Sequence, residues 1–232
     1  MKTRGARRVL QPSAMPSAAV AAAARTVMPA ASRWAALVLL AALAGCATPV
    51  PHAAVDAAPA DRFLAALAMH CGQAFAGRVI VDTPASATPS AFAGKPLVMH
   101  VRGCDDPTRT LRVPFHVGDD RSRTWVLTRT DTGLRLKHDH RHADGSPDAL
   151  TQYGGDTVDA GSAHRQEFPV DAESVALFKR LGSTASLRNR WAMEIRPGRS
   201  VVYELSRPDG RLFRVQFDLT RPVALPPAPW GS

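Results

Sequence analysis

Three patterns of apolar and polar positions follow one another along the chain. Residues 34–45 are apolar throughout. Residues 61–71 place Phe63, Leu64, Leu67, Ala68 and Cys71 at helical spacing, and from Pro96 onward short runs alternate with period two. The alternating runs predict strands over 97–102, 110–117, 124–129, 134–140, 191–195, 201–206 and 212–219. A further strand is expected over 75–81, ahead of the Pro- and Thr-rich stretch 83–89. A second helix is expected over 172–181, with Asp171 as N-cap and Gly182 as its stop. Residues 143–169 show no period and are expected to be irregular. The sum is a mainly β fold with two short helices. Its strands form an antiparallel meander, either a small closed barrel of lipocalin-like size or a strongly curved sheet.

Two hairpins fix what faces what. Arg207-Pro208-Asp209-Gly210 matches a type I turn with glycine in the left-handed position. It pairs Leu205 with Phe213, Tyr203 with Val215 and Val201 with Phe217 on a core face, leaving Glu204, Arg214, Gln216 and Asp218 on a wet one. The central hairpin turns at Thr130-Asp131-Thr132-Gly133, where two registers compete. One sets Val126 and Thr128 opposite His138 and Leu136; a slip of one residue brings Trp125 and Leu127 there instead. In a barrel either register points the histidines at the lumen or its mouth, a place for a polar ligand group at the end of an apolar cavity.

The apolar run 34–45 is too short to span a membrane, and its charged start and small-residue end have the form of an export signal. Leu43-Ala44-Gly45-Cys46 resembles the lipobox of bacterial lipoproteins. The resemblance implies cleavage before Cys46, acylation of Cys46 and a lipid anchor in the cell envelope, and Ala47 after the cysteine implies the outer rather than the inner membrane. Residues 1–45 are then a signal peptide, with Met28 the expected true start because signal n-regions are short. Residues 46–60 form a Pro- and Ala-rich tether, 61–221 one β-rich domain and 222–232 a Pro-rich tail. Six of the 29 basic residues and none of the 20 acidic ones lie within 1–45, so the formal charge of +9 falls to +3. That removes the broad support for a nucleic-acid partner. With Cys46 acylated, Cys71 and Cys104 remain, and an oxidising compartment makes a disulfide between them the expected state, free buried thiols being the alternative.

The densest polar chemistry is 137–144, Lys-His-Asp-His-Arg-His-Ala-Asp. Imidazoles at i and i+2 of a strand point the same way, roughly 6.5 Å apart at Cα, so His138 and His140 have the spacing to chelate zinc or copper. His142, Asp139 and Asp144 are the available further ligands. The plainer alternative is a solvated strand end. Gly154 and Gly155 could form a backbone nest for an anion or simply permit a turn. Arg121, Arg123, Arg129 and Arg135 cluster near the central hairpin, a candidate surface for an acidic ligand. His116 falls on the same side of its strand as Arg112 and reads as surface; His100 reads as structural or solvent-facing. The chain holds no GxSxG, SxxK, HExxH or CxxC, so nothing in it marks an enzyme.

The body, on 115–142 and on Tyr153-Gly154-Gly155-Asp156-Thr157, also resembles a group of uncharacterised bacterial secreted proteins and lipoproteins, which implies a single domain and no particular activity. Three functions are therefore expected in competition: a lipid-anchored envelope domain binding a small molecule or an envelope protein, a metal-binding protein or metal-dependent enzyme using His138 and His140, and a structural envelope component.

Overall fold

A computed structural model describes residues 58–85 and 90–232; the expected signal peptide, Cys46 and all but the last three residues of the expected tether lie outside the described residues, and the first helix begins within those three, at Pro59. Ten strands make one antiparallel sheet. They are β1 (Ala74–Thr83), β2 (Leu97–His100), β3 (Thr110–Val117), β4 (Asp120–Arg129), β5 (Leu134–His140), β6 (Tyr153–Asp156), β7 (Arg165–Pro169), β8 (Arg190–Arg196), β9 (Ser200–Ser206) and β10 (Leu212–Val223). The spatial order β6-β5-β4-β3-β2-β1-β10-β9-β8-β7 is two meanders joined by the β1–β10 pair. The sheet curls until its two edges almost meet. At that seam the Asp171 N–H donates to the Gly154 carbonyl at 2.9 Å, and Gly155 lies so close to the backbone of Pro169 that a Cβ would sit 1.8 Å from its carbonyl oxygen. The result is a nearly closed barrel, as the alternation predicts.

The interior face follows from register. The last hairpin pairs Leu205 with Phe213, Tyr203 with Val215 and Val201 with Phe217, as its turn requires. In the central hairpin Arg129 pairs with Leu134 across a four-residue loop, which selects the slipped register: Trp125 faces His138 and Leu127 faces Leu136. The stretch expected to be irregular contains β6 and β7. Both are short, and β6 is half glycine, so neither carries an apolar alternation to be read.

Helix α1 (Pro59–Ala68) buries Ala60, Phe63, Leu64 and Leu67. It meets the barrel at the end where β4 finishes, with Arg129 Nε 2.6 Å from Asp61 Oδ1. The same end is stapled by the Cys71–Cys104 disulfide. Helix α2 (Ala172–Arg180) starts where expected, its N-cap Asp171 accepting from the Ser174 N–H. A 3-10 helix, Thr184–Arg188, follows it. Strand β10 runs on to Val223, so the Pro-rich tail starts inside the sheet; it then docks on the barrel wall, the Trp230 N–H donating to the Arg121 carbonyl and Arg121 Nη1 to the Ala228 carbonyl. Among the described residues no helix is long and apolar enough to cross a membrane.

Candidate functional site

The two halves of the lumen differ. Toward α1 it is solid hydrocarbon, with Leu111, Leu127, Leu134, Leu136, Val215 and Phe217 fully buried. Toward the other end a cavity of about 230 Å³ opens among Phe115, Trp125, Tyr153, Phe178, Trp191, Tyr203 and Phe213, with Arg123, His138, His140, Asn189 and Arg211 supplying its polar atoms. Strand alternation produces this set. Arg123 and Trp125 on β4 lie opposite His140 and His138 on β5, and His138 in turn lies opposite Tyr153 on β6. Above them Phe92, from the loop between β1 and β2, packs on Phe115 and Phe213 with centroids 5.7 and 4.8 Å away.

His138 is buried and locked. Its Nδ1 lies 3.1 Å from the Tyr153 carbonyl oxygen, which can only accept, so Nδ1 carries the proton. Nε2 is left to accept from the Tyr203 hydroxyl at 2.8 Å. Burial, and then the neighbouring His140, push its pKa down to about 3; burial and the charge of Arg123 bring His140 to about 4. Both rings are neutral at physiological pH. The His140 Nε2 shares a 3.1 Å hydrogen bond with the Tyr153 hydroxyl, whose own pKa burial raises to about 12. Burial lifts Tyr203 well above an ordinary phenol.

Rings fill the space between these bonds. Trp125 stacks between Phe115 and Tyr203 at 4.9 and 4.6 Å, and Tyr153 stacks on His138 at 4.6 Å. Among the described residues at the cavity, Asn189 Oδ1 is buried with no donor, on a residue only 7% exposed. The two arginines at the cavity are held from outside it, Arg123 by Asp120 and Arg211 by Asp82, and each lies over a phenyl ring, Phe92 and Phe213 respectively.

The proposed metal ligands separate. His138 and His140 do lie side by side, as their spacing predicts, but each Nε2 is turned to a tyrosine hydroxyl. Asp139 alternates to the outer face, where it is buried between Arg112 and Arg141. His142 sits past the strand end, 4.0 Å from Asp148, and Asp144 caps its own turn through Ser146. Among the described residues no three His, Cys, Asp or Glu side chains converge as metal ligands. Gly154 and Gly155 are not a nest: the Gly154 N–H donates to Ser174 Oγ, and the missing side chains let β6 approach β5 and the β7 end. The arginines disperse, Arg123 to the lumen, Arg121 to the tail, Arg129 to Asp61 and Arg135 to Asp156.

His116 and His100 are also buried, against the expectation of a solvent-facing His116, because the outer wall near β3 is not wet. The tail is tied to Arg121, and Pro114 lines a groove there with Trp230. Burial, with His100 and Arg121 nearby, lowers the His116 pKa to about 4.

From the sequence Arg123 stands only in a cluster of four arginines and Trp125 only in one of two competing registers; the slipped register places both beside the histidines. Tyr203 reads only as a core position, and nothing local marks Tyr153 or Asn189. No protein-family model, curated protein or solved structure matches the chain.

Proposed function

We propose that this is a lipid-anchored cell-envelope protein whose barrel holds a small organic molecule in its lumen. The observation that carries the reading is the cavity itself. A barrel packed at one end leaves space at the other, and that space is lined by two arginines, two neutral imidazoles, two phenols and a wall of aromatic rings. Binding sites have this composition: mostly apolar walls with a few placed polar groups.

The leader and the disulfide-permissive compartment it implies support the envelope, and Ala47 supports the outer membrane.

The test of binding is a fragment screen by saturation-transfer NMR on the mature chain, beside a Leu205→Trp variant that fills the cavity and is confirmed folded by its melting curve. Hits on the wild type that vanish in the variant are expected. Absence of hits, or hits indifferent to the filled cavity, would sink the reading. For the anchor, labelled palmitate should enter the wild-type protein and not a Cys46→Ser variant.

A further inference from the structure

We infer that the lumen takes an uncharged molecule built on one flat aromatic ring or a fused pair, laid along the stack of Trp125 and Tyr203 with its edge toward His138 and Tyr153. The inference rests on the lumen being a ligand site and names the chemistry of its occupant.

Ring geometry carries it. The chain has eight phenylalanines, four tryptophans and two tyrosines, and eight of these fourteen rings line this one cavity. They are ordered. Phe92, Phe115, Trp125 and Tyr203 form a row in which successive centroids lie 5.7, 4.9 and 4.6 Å apart and successive planes differ by 18, 16 and 25°. Tyr153 and His138 make a second wall, 4.6 Å apart and 12° from parallel, with Trp191 tilted beside them. The walls meet at Tyr203 and His138, whose planes cross at 72° with centroids 5.8 Å apart. A flat ring stacked on the first wall therefore turns its edge to the faces of the second, and these are the two arrangements that aromatic pairs prefer. A puckered saturated ring or an acyl chain can make neither. The cavity of about 230 Å³ is also smaller than the roughly 300–1,000 Å³ of sites for drug-sized ligands, which limits the occupant to one ring or a fused pair.

Charge is excluded by what the ionisable groups of the lining already do. Arg123 is paired with Asp120 and Arg211 with Asp82. His138 is bonded to Tyr203 and His140 to Tyr153, and burial keeps both imidazoles neutral. An anion would have to compete with an aspartate already in place. A cation would find no aspartate or glutamate in the lining. Either would give up its hydration without a free counter-ion to replace it, whereas an uncharged ring gives up little.

The experiment titrates the mature chain with benzyl alcohol, cyclohexylmethanol, benzoate and benzylamine, following the indole N–H resonances of Trp125 and Trp191 by NMR. Benzyl alcohol should bind tightest. Cyclohexylmethanol, which keeps the size and the hydroxyl and loses the flat ring, should bind about tenfold weaker. Benzoate and benzylamine, which keep the ring and add a charge, should be weaker by about tenfold or more. Trp125→Leu should bring benzyl alcohol to the level of cyclohexylmethanol, read at Trp191, with a melting curve to establish that the variant folds. Equal binding of the two alcohols, abolished by Leu205→Trp, would overturn the aromatic assignment while leaving the lumen a ligand site. Tighter binding of benzoate or benzylamine would overturn the uncharged assignment in the same way. No response to any of the four overturns the inference by itself, and the fragment screen then decides whether the lumen binds anything.

Discussion

Tyr203 shows how one hydroxyl organises the lumen. Buried, it is the donor that satisfies His138 Nε2, and its ring carries the stack that continues through Trp125 to Phe115. Tyr203→Phe keeps the stack and leaves the imidazole nitrogen unpaired. It should lower unfolding free energy by about 1–3 kcal/mol in urea titrations. A loss of that size separates the hydrogen bond from the packing, which Tyr203→Leu would remove as well at greater cost. His138 itself was visible as a residue of interest from the alternation of its strand. Its spacing from His140 predicts metal ligation, and the structure instead gives it both of its hydrogen bonds within the protein. A nearby hydroxyl from β9, 65 residues away, is what no local pattern could announce.

At the scale of elements, the seam and the staple carry the closure. The edges β6 and β7 meet through glycine and a single backbone hydrogen bond rather than a full ladder. Gly155→Val should force the edges apart, costing about 1–3 kcal/mol or more and speeding amide exchange in β6 before the rest of the sheet. Cys71 and Cys104 close a sequence separation of 33 at the α1 end. Replacing both by serine should lower unfolding free energy by roughly 3.5–4 kcal/mol on chain entropy alone, read from denaturant midpoints. Asp171, found from sequence as an N-cap, accepts from Ser174 as a cap should. It also ion-pairs with Lys137 of β5, so Asp171→Ala should cost more than the typical ~1 kcal/mol of a cap.

For the whole molecule, buried neutral histidines make acid the weak side. His116, His138 and His140 have folded pKa values of about 4, 3 and 4, below the ordinary 6.5 of the unfolded chain. Below pH 6.5 the unfolded chain binds protons that the folded barrel refuses, so stability is full above that value and falls as pH drops through 6.5 toward 4. Melting temperature should therefore decline between pH 7 and pH 4. A His116→Leu variant should lose less over the same range, because one of the buried histidines no longer titrates. A flat profile across that interval would mean that these rings are not held neutral.

The sequence by itself determined the elements whose signals are local. Period-two alternation placed seven of the ten strands, a Pro-Asp-Gly turn set the last register, Asp171 opened α2, and a pair of cysteines predicted the staple. It also placed the imidazoles on the interior face of β5, because side-chain direction in a strand follows from position alone. Only the tertiary structure decided which central register wins, since a four-residue loop admits what the turn residues leave open. It alone showed that β6 and β7 are strands, their pairing partners being distant and their own residues too few and too small to alternate. The cavity belongs wholly to that level. Arg123, His138, Tyr153, Asn189 and Tyr203 come from four strands and the end of a 3-10 helix, and they meet only because the sheet curls until its edges touch.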